Sequence, residues 1–120
     1  MDLKERYEYY LETLSHCGSF LKGCDEEEIA WALLEEFDGD SVSFLHKNAL
    51  APLLENGWID AEVYEKSLLL REEFRKMENT RFWNPESVKD GSWDEILSLA
   101  DEIKEKIGFF RPKIDFAAKK

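Results

Sequence analysis

The chain has 120 residues, of which 43% are hydrophobic and 13% aromatic, as is typical of one globular domain. Its 27 acidic residues outnumber its 16 lysines and arginines, so the net charge is −11, which repels nucleic-acid phosphates and anionic membrane surfaces. Because the first ten residues are charged and the longest apolar run is only IAWALL, we expect neither a signal peptide nor a membrane span. We therefore expect a cytoplasmic protein in which residues 1–120 form a single domain, with neither nucleic acid nor membrane as a partner.

The negative charge is concentrated in the first third of the chain. Residues 1–40 contain 12 acidic and 3 basic side chains. Within them the segment CDEEEIAWALLEEFDGD, residues 24–40, carries eight carboxylates and no basic residue. Any account of function has to explain this segment.

Apolar residues recur at helical spacing from the start of the chain, whereas no run alternates as a strand would. The first stripe predicts a helix that stops near Gly18 and is followed by the connection GSFLKG; it consists of Leu3, Tyr7, Tyr10, Leu11 and Leu14. A second helix is predicted from Cys24 or Asp25, because Asp25 and Glu28 have the spacing of a capping box. We expect it to end before Gly39.

The next segment, VSFLHKNALAPLLEN, is predicted to be capped by Asp40 or Ser41. Pro52 would clash with the carbonyl of residue 48 in a continuous helix, so we expect a kink or break near Asn48. Gly57 closes this part of the chain.

Three later helix starts are indicated by their capping residues. Asp60 precedes the longest helical pattern, AEVYEKSLLLREEFRKMEN, residues 61–79, whose buried face is predicted to end at Met77. Asn84 followed by Pro85 predicts a single turn, and Ser92 with Glu95 has the spacing of another capping box. The sequence therefore predicts an all-α fold, a compact bundle of five or six helices with short loops, followed by an irregular C-terminal segment over residues 109–120.

No catalytic, metal or cofactor motif is present. The six glycines are isolated, which excludes a phosphate-binding loop, and the positions after Asp38 do not match a calcium-binding loop. Zinc would need ligands drawn from His16, Cys17, Cys24 and His46, whose spacing fits no zinc motif. We therefore expect no enzyme activity, no catalytic residue, no cofactor and no metal.

On a helical wheel the acidic segment divides into two faces. One arc is predicted to be core and contains Ile29, Ala30, Leu33, Leu34 and Phe37. Trp31 falls just outside this arc among carboxylates one turn away. We identify the following residues as the candidate partner-binding set: Glu27, Glu28, Trp31, Glu35, Asp38 and Asp40.

Two interpretations of this set remain open. In the first, Trp31 simply widens the buried stripe while the carboxylates face water. In the second, an aromatic ring among uncompensated acids is suited to binding a basic protein. The negative charges attract the partner, and the ring provides affinity once it is desolvated. Trp58 and Trp83, each beside a loop, are further candidate anchors.

The stretch IAWALLEEFDGDSVSFLHKNALAPLLENGWIDAEVYEKSLLLREEF, residues 29–74, resembles the helical immunity proteins of bacterial polymorphic and contact-dependent toxin systems. The shared pattern is an acidic helix, a loop, a Leu-rich helix ending in ENG, and ID opening a long helix. This resemblance implies a protein that binds the catalytic domain of a toxin, often a basic nuclease, and covers its active site. A self-assembling structural or regulatory adaptor is the first alternative, and a carboxylate-based enzyme or small-ligand binder is the second.

Overall fold

Helix α1 (Leu3–Ser15) is the first element of the computed structural model, which describes residues 2–108. It starts at a capping box in which the Asp2 side chain accepts the backbone N–H of Glu5 at 2.8 Å. Tyr10 and Leu14 from the predicted stripe are fully buried. A short 3₁₀ turn (Ser19–Gly23) follows, so the predicted connection is helical itself.

The second helix, α2, is longer than predicted. It begins at the predicted capping box, where the Asp25 side chain accepts the backbone N–H of Glu28 at 2.8 Å. It then continues without a break through residues 26–44, in three parts: an α-helical start (Glu26–Ile29), a π-helical middle (Ala30–Phe37) and an α-helical end (Asp38–Phe44).

The predicted end before Gly39 is therefore wrong, and so is the predicted cap at Asp40 or Ser41. Glycine in a helix interior costs about 1 kcal/mol relative to alanine, which tertiary contacts can offset. Here Ser41 is fully buried and accepts a hydrogen bond from Arg75, while the backbone carbonyl of Ser41 accepts one from Arg71. These contacts hold the last turns of α2 against a later helix.

The π-helical middle changes which residues face the core. A π-helix bonds i to i+5, so each residue advances by a smaller angle than in an α-helix. Ala32 consequently turns inward and is 6% exposed. Ile29, Leu33 and Phe37 are buried as predicted, whereas the predicted core residues Ala30 and Leu34 are only half-buried.

Helix α3 (Lys47–Glu55) follows a break at Leu45 and His46, close to the predicted position. His46 caps it, because its Nδ1 atom accepts the backbone N–H of Asn48 at 3.0 Å. Pro52 lies inside α3. Gly57 has a φ of +77°, as a closing residue in the left-handed region should.

Helix α4 (Ala61–Lys76) is capped by Asp60, and helix α5 (Pro85–Lys89) by Asn84, both as predicted. Helix α6 (Asp94–Lys106) lacks the predicted capping box. The backbone N–H and the hydroxyl of Ser92 both donate instead to Asp90 Oδ1, at 2.9 and 2.6 Å. Ser92 is thus bound to the preceding turn, and Trp93 occupies the N-cap position of α6 without a capping hydrogen bond from its side chain.

The core combines aliphatic side chains from all these helices with an aromatic cluster. Phe74 lies at its centre, with ring centroids 4.8 Å from Phe37, 5.2 Å from Trp83 and 5.7 Å from Trp93. Trp93 is fully buried and its indole N–H donates to the carbonyl of Phe82 at 2.8 Å.

The described part of the chain is thus an all-α bundle, as predicted, with six helices and no strand. None of its helices combines the length and the apolar character needed to cross a membrane. The predicted irregular segment 109–120 lies outside the described residues.

Candidate functional site

Trp31 lies on the surface, within the π-helical part of α2. Its side chain is 46% exposed. One side of the indole meets the imidazole of His16 edge to face, with ring centroids 5.2 Å apart and an interplanar angle of 86°. His16 is itself only 4% exposed, so α1 supports the indole from below and leaves the rest of the ring accessible.

Three of the candidate carboxylates, those of Glu27, Glu28 and Glu35, are exposed on α2. Glu28 also completes the capping box, since its Oε1 atom accepts the backbone N–H of Asp25 at 3.1 Å. Glu27 and Glu35 form no ion pair within residues 2–108. Their charge is therefore directed at solvent.

Asp38 is compensated by a distant part of the chain. Its Oδ1 atom lies 2.6 Å from Nη2 of Arg75, and the same nitrogen donates to the carbonyl of Asp38 at 3.1 Å. Asp38 therefore links α2 to α4. Of the eight carboxylates in residues 24–40, it is the one that forms an ion pair among the described residues.

Asp40 faces His16 on α1. Partial burial raises the pKa of the Asp40 carboxyl, and His16 opposes that shift, whereas Glu36 and Glu12 add to it. Burial lowers the pKa of His16, and the three carboxylates of Asp40, Glu36 and Glu12 oppose this change. The packing of α1 on α2 thus brings three acids within electrostatic range of the imidazole that lies beneath Trp31.

Glu12, His16 and Glu36 were not among the predicted binding residues. Glu12 and His16 share a face of α1, but only the packing of α1 against α2 brings that face to Trp31. Glu36 is five residues after Trp31, which places it one turn along in a π-helix. We call this surface the Trp31 face and define it by the following residues: Glu12, His16, Glu27, Trp31, Glu35, Glu36 and Asp40.

A second aromatic pair lies along the same two helices. Tyr9 on α1 is 41% exposed and stacks on Phe44 of α2, with ring centroids 5.0 Å apart and planes 8° apart. Tyr9 is one turn before Glu12, and Phe44 is one turn after Asp40. The surface formed by α1 and α2 therefore carries aromatic rings on both sides of its carboxylates.

The other two candidate tryptophans have different environments. Trp58 is 40% exposed and packs on Tyr7, with centroids 5.2 Å apart. Trp83 is half-buried in the aromatic core cluster, where it contacts Phe74 and Trp93. Trp83 therefore closes the edge of the core, while Trp58 is a second exposed indole.

Within residues 2–108, no group of three or more histidine, cysteine, aspartate or glutamate side chains has a geometry that could hold a metal ion. What the Trp31 face offers chemically is negative potential and an accessible aromatic ring, which together suit a cationic surface. Comparison of the chain with protein-family models, with curated proteins and with solved structures found no match.

Proposed function

We propose that this protein is an acidic inhibitory binding protein, an immunity protein that neutralises a cationic bacterial toxin of the nuclease type by covering its active site. One observation carries the proposal. Trp31 is 46% exposed on a helix whose carboxylates, apart from that of Asp38, form no ion pair among the described residues.

The charge pattern supports a basic partner over plain solvation of the helix. Like charges at i, i+4 destabilise a helix by roughly 0.2 to 0.5 kcal/mol per pair, and solvated helices usually relieve this repulsion with interspersed lysines. Residues 24–40 contain none. A cationic surface docked on the Trp31 face would remove the repulsion that the chain leaves in place.

The exposed ring of Trp31 can supply the affinity that charge alone does not provide. Electrostatic attraction mainly speeds association and selects the partner, whereas affinity comes from aromatic side chains that lose their water at the centre of an interface. Trp31 lies among the carboxylates of its face and packs against His16. A nuclease active site is basic because it binds phosphates, so the same carboxylates would occupy the positions of those phosphates.

The proposal is tested by co-expressing the chain with the product of the adjacent upstream gene. Wild-type protein should form a complex with that product and relieve its toxicity. The double variant Glu35→Lys/Glu36→Lys should fail at both, because it reverses two charges beside Trp31. Glu65→Lys, at an exposed position on α4, is the matched control and should behave as wild type. A non-toxic neighbour that forms no complex would refute the proposal.

A self-assembling adaptor is the alternative. It predicts a stable dimer of the pure protein in which Trp31 is protected from acrylamide quenching. The inhibitor proposal predicts instead that Trp31 is quenched in the free protein and becomes protected only when the partner is added.

A further inference from the structure

A basic groove is lined in part by Arg75, the residue that pairs with Asp38. It runs between the N-terminal end of α3 and one face of α4, and it offers about 550 Å³ of open space. Five basic side chains line it: His46, Lys47, Arg71, Arg75 and Lys76. In a chain with a net charge of −11, such a concentration of cations in one concavity calls for an explanation.

The two lysines and two arginines of the groove are not equally available. Arg75 is engaged by Asp38 and by Glu78, each at 2.6 Å, and Lys76 by Glu73 at 2.7 Å. Lys47 and Arg71, by contrast, form no ion pair within residues 2–108. Two positive charges in the groove are therefore left for an outside anion.

Two of the groove's side chains, Arg71 and His46, are held in place by contacts outside it. The Nε–H of Arg71 donates to the carbonyl of Ser41 at 3.2 Å, which fixes the guanidinium and leaves its two Nη groups to bind. His46 Nδ1 accepts the backbone N–H of Asn48 at 3.0 Å, so in the neutral ring the hydrogen is on Nε2, where it can be donated. The N-terminal end of α3, a nine-residue helix, adds its partial positive charge.

We propose that this groove binds the phosphate group of a small phosphomonoester. A guanidinium fork, an ammonium group and a helix N-terminus are the donors that proteins combine around phosphate, whose several oxygens can accept from all of them at once. Leu68 lines the same groove and provides an apolar wall for the organic part of the ligand. The site is distinct from the Trp31 face and does not depend on the function proposed for it.

The negative charge around the groove limits the ligand to a small anion. Glu72 also lines the groove, and the rest of the molecule is strongly acidic, so a polyanion would be repelled wherever it extended beyond the groove. A single phosphate confined between Lys47 and Arg71 avoids that repulsion. A monoester therefore suits the groove better than a nucleic acid does.

The test is an NMR titration of the whole chain with phenyl phosphate, at constant ionic strength, with inorganic phosphate and benzoate as comparison probes. Both phosphates should give saturable shifts of the Arg71 Nε–H, the His46 ring and the Leu68 methyl groups. Benzoate should bind about tenfold or more weakly, because its carboxylate offers fewer acceptors to the same donors. Equal binding of benzoate would contradict the assignment to phosphate.

Two variants test the residues, and a third is their control. Lys47→Gln should weaken phenyl phosphate binding about tenfold, and Arg71→Lys should weaken it as well, since the charge remains but the fork is lost. Lys89→Gln removes one exposed charge elsewhere and should have no effect. No saturation by either phosphate, or equal weakening by all three variants, would overturn the proposal. It would also be overturned if the groove signals shifted with protein concentration alone, since the occupant would then be a second copy of the chain.

Discussion

The imidazole of His16 on α1 meets the indole of Trp31 on α2 edge to face, with centroids 5.2 Å apart. The two rings differ sharply in exposure, at 4% for His16 and 46% for Trp31. The buried ring thus packs against the exposed one from the side of the bundle. This pair connects the packing of the bundle to the surface that we propose as its binding face, and the following predictions test both.

Substitution by alanine should change the stability of the protein in opposite directions at two glycines, Gly39 inside α2 and Gly57 after the end of α3. Gly39 lies in the helix interior, and a Cβ added there meets nothing within 4 Å. Gly39→Ala should therefore stabilise the protein by about 0.5 to 1 kcal/mol. Gly57 has equal space but a φ of +77°, so Gly57→Ala should destabilise it by about 1 kcal/mol. Urea unfolding of both variants measures these changes, and a loss of stability in Gly39→Ala would mean that the helix ends there.

Asp38 is predicted to matter for stability more than for binding. Asp38→Asn removes the charge that pairs with Arg75 at 2.6 Å, and both side chains are partly exposed. The loss of unfolding free energy should be about 1 kcal/mol. Affinity for the partner should change by less than it does in Glu35→Gln, whose carboxylate has no such compensation. The reverse order of the two affinities would place Asp38 in the interface.

Stability should depend on the protonation of His16. Burial lowers its pKa in the folded protein below the ordinary value of 6.5, so below that pH the unfolded chain binds more protons than the folded one. The contribution of His16 is therefore fully present above pH 6.5 and decreases as the pH falls from 6.5 towards the folded pKa. Asp40 acts in the opposite sense at lower pH, because its pKa is raised above 3.8 and the folded protein binds its proton more readily.

The His16 effect is measured by comparing unfolding free energies of wild type and His16→Gln at about pH 7.5 and about pH 5.5. The variant should lose less stability than wild type between these two conditions. An NMR titration of the His16 ring provides an independent readout. An identical pH dependence in both proteins, or a His16 pKa above 6.5, would contradict the burial argument.

Trp93 and Trp31 differ in burial, so replacing them should cost different amounts of unfolding free energy. Trp93 is fully buried and hydrogen-bonded to Phe82, so Trp93→Phe should lose roughly 1 to 3 kcal/mol of unfolding free energy. Trp31→Ala should cost less than about 1.5 kcal/mol, since almost half of its ring is already in water. Thermal unfolding of the two variants checks the order. A greater loss in Trp31→Ala would make that ring part of the core.

The features that local spacing encodes were predictable. Asp25, Asp60 and Asn84 cap their helices as expected because a cap needs only its own turn and the few residues after it. The all-α fold follows from apolar periodicity for the same reason. Ser92 shows the limit of local reasoning, since its capping spacing is correct but Asp90 competes for its backbone and hydroxyl groups.

The features that were missed depend on contacts between distant segments. Gly39 is a plausible helix end until Arg71 and Arg75, more than thirty residues later in the chain, bind the turn around Ser41. The π-helical winding of Ala30–Phe37 shifts the buried face away from the one that an α-helical wheel predicts. Ala32 is therefore buried although it was not predicted to be, and the predicted core residues Ala30 and Leu34 are only half-buried. His16 joins the candidate site only because α1 packs against α2.

The most direct test of the proposed binding face is the affinity of the adjacent gene product, inactivated in its catalytic site, for wild type and two tryptophan variants. Isothermal titration should show that Trp31→Ala loses about 2 kcal/mol or more of binding free energy. Trp58→Ala, which removes the other exposed indole, should bind as wild type does. Equal affinities for Trp31→Ala and wild type would contradict the account, because the ring at the centre of the acidic face would then contribute nothing to recognition.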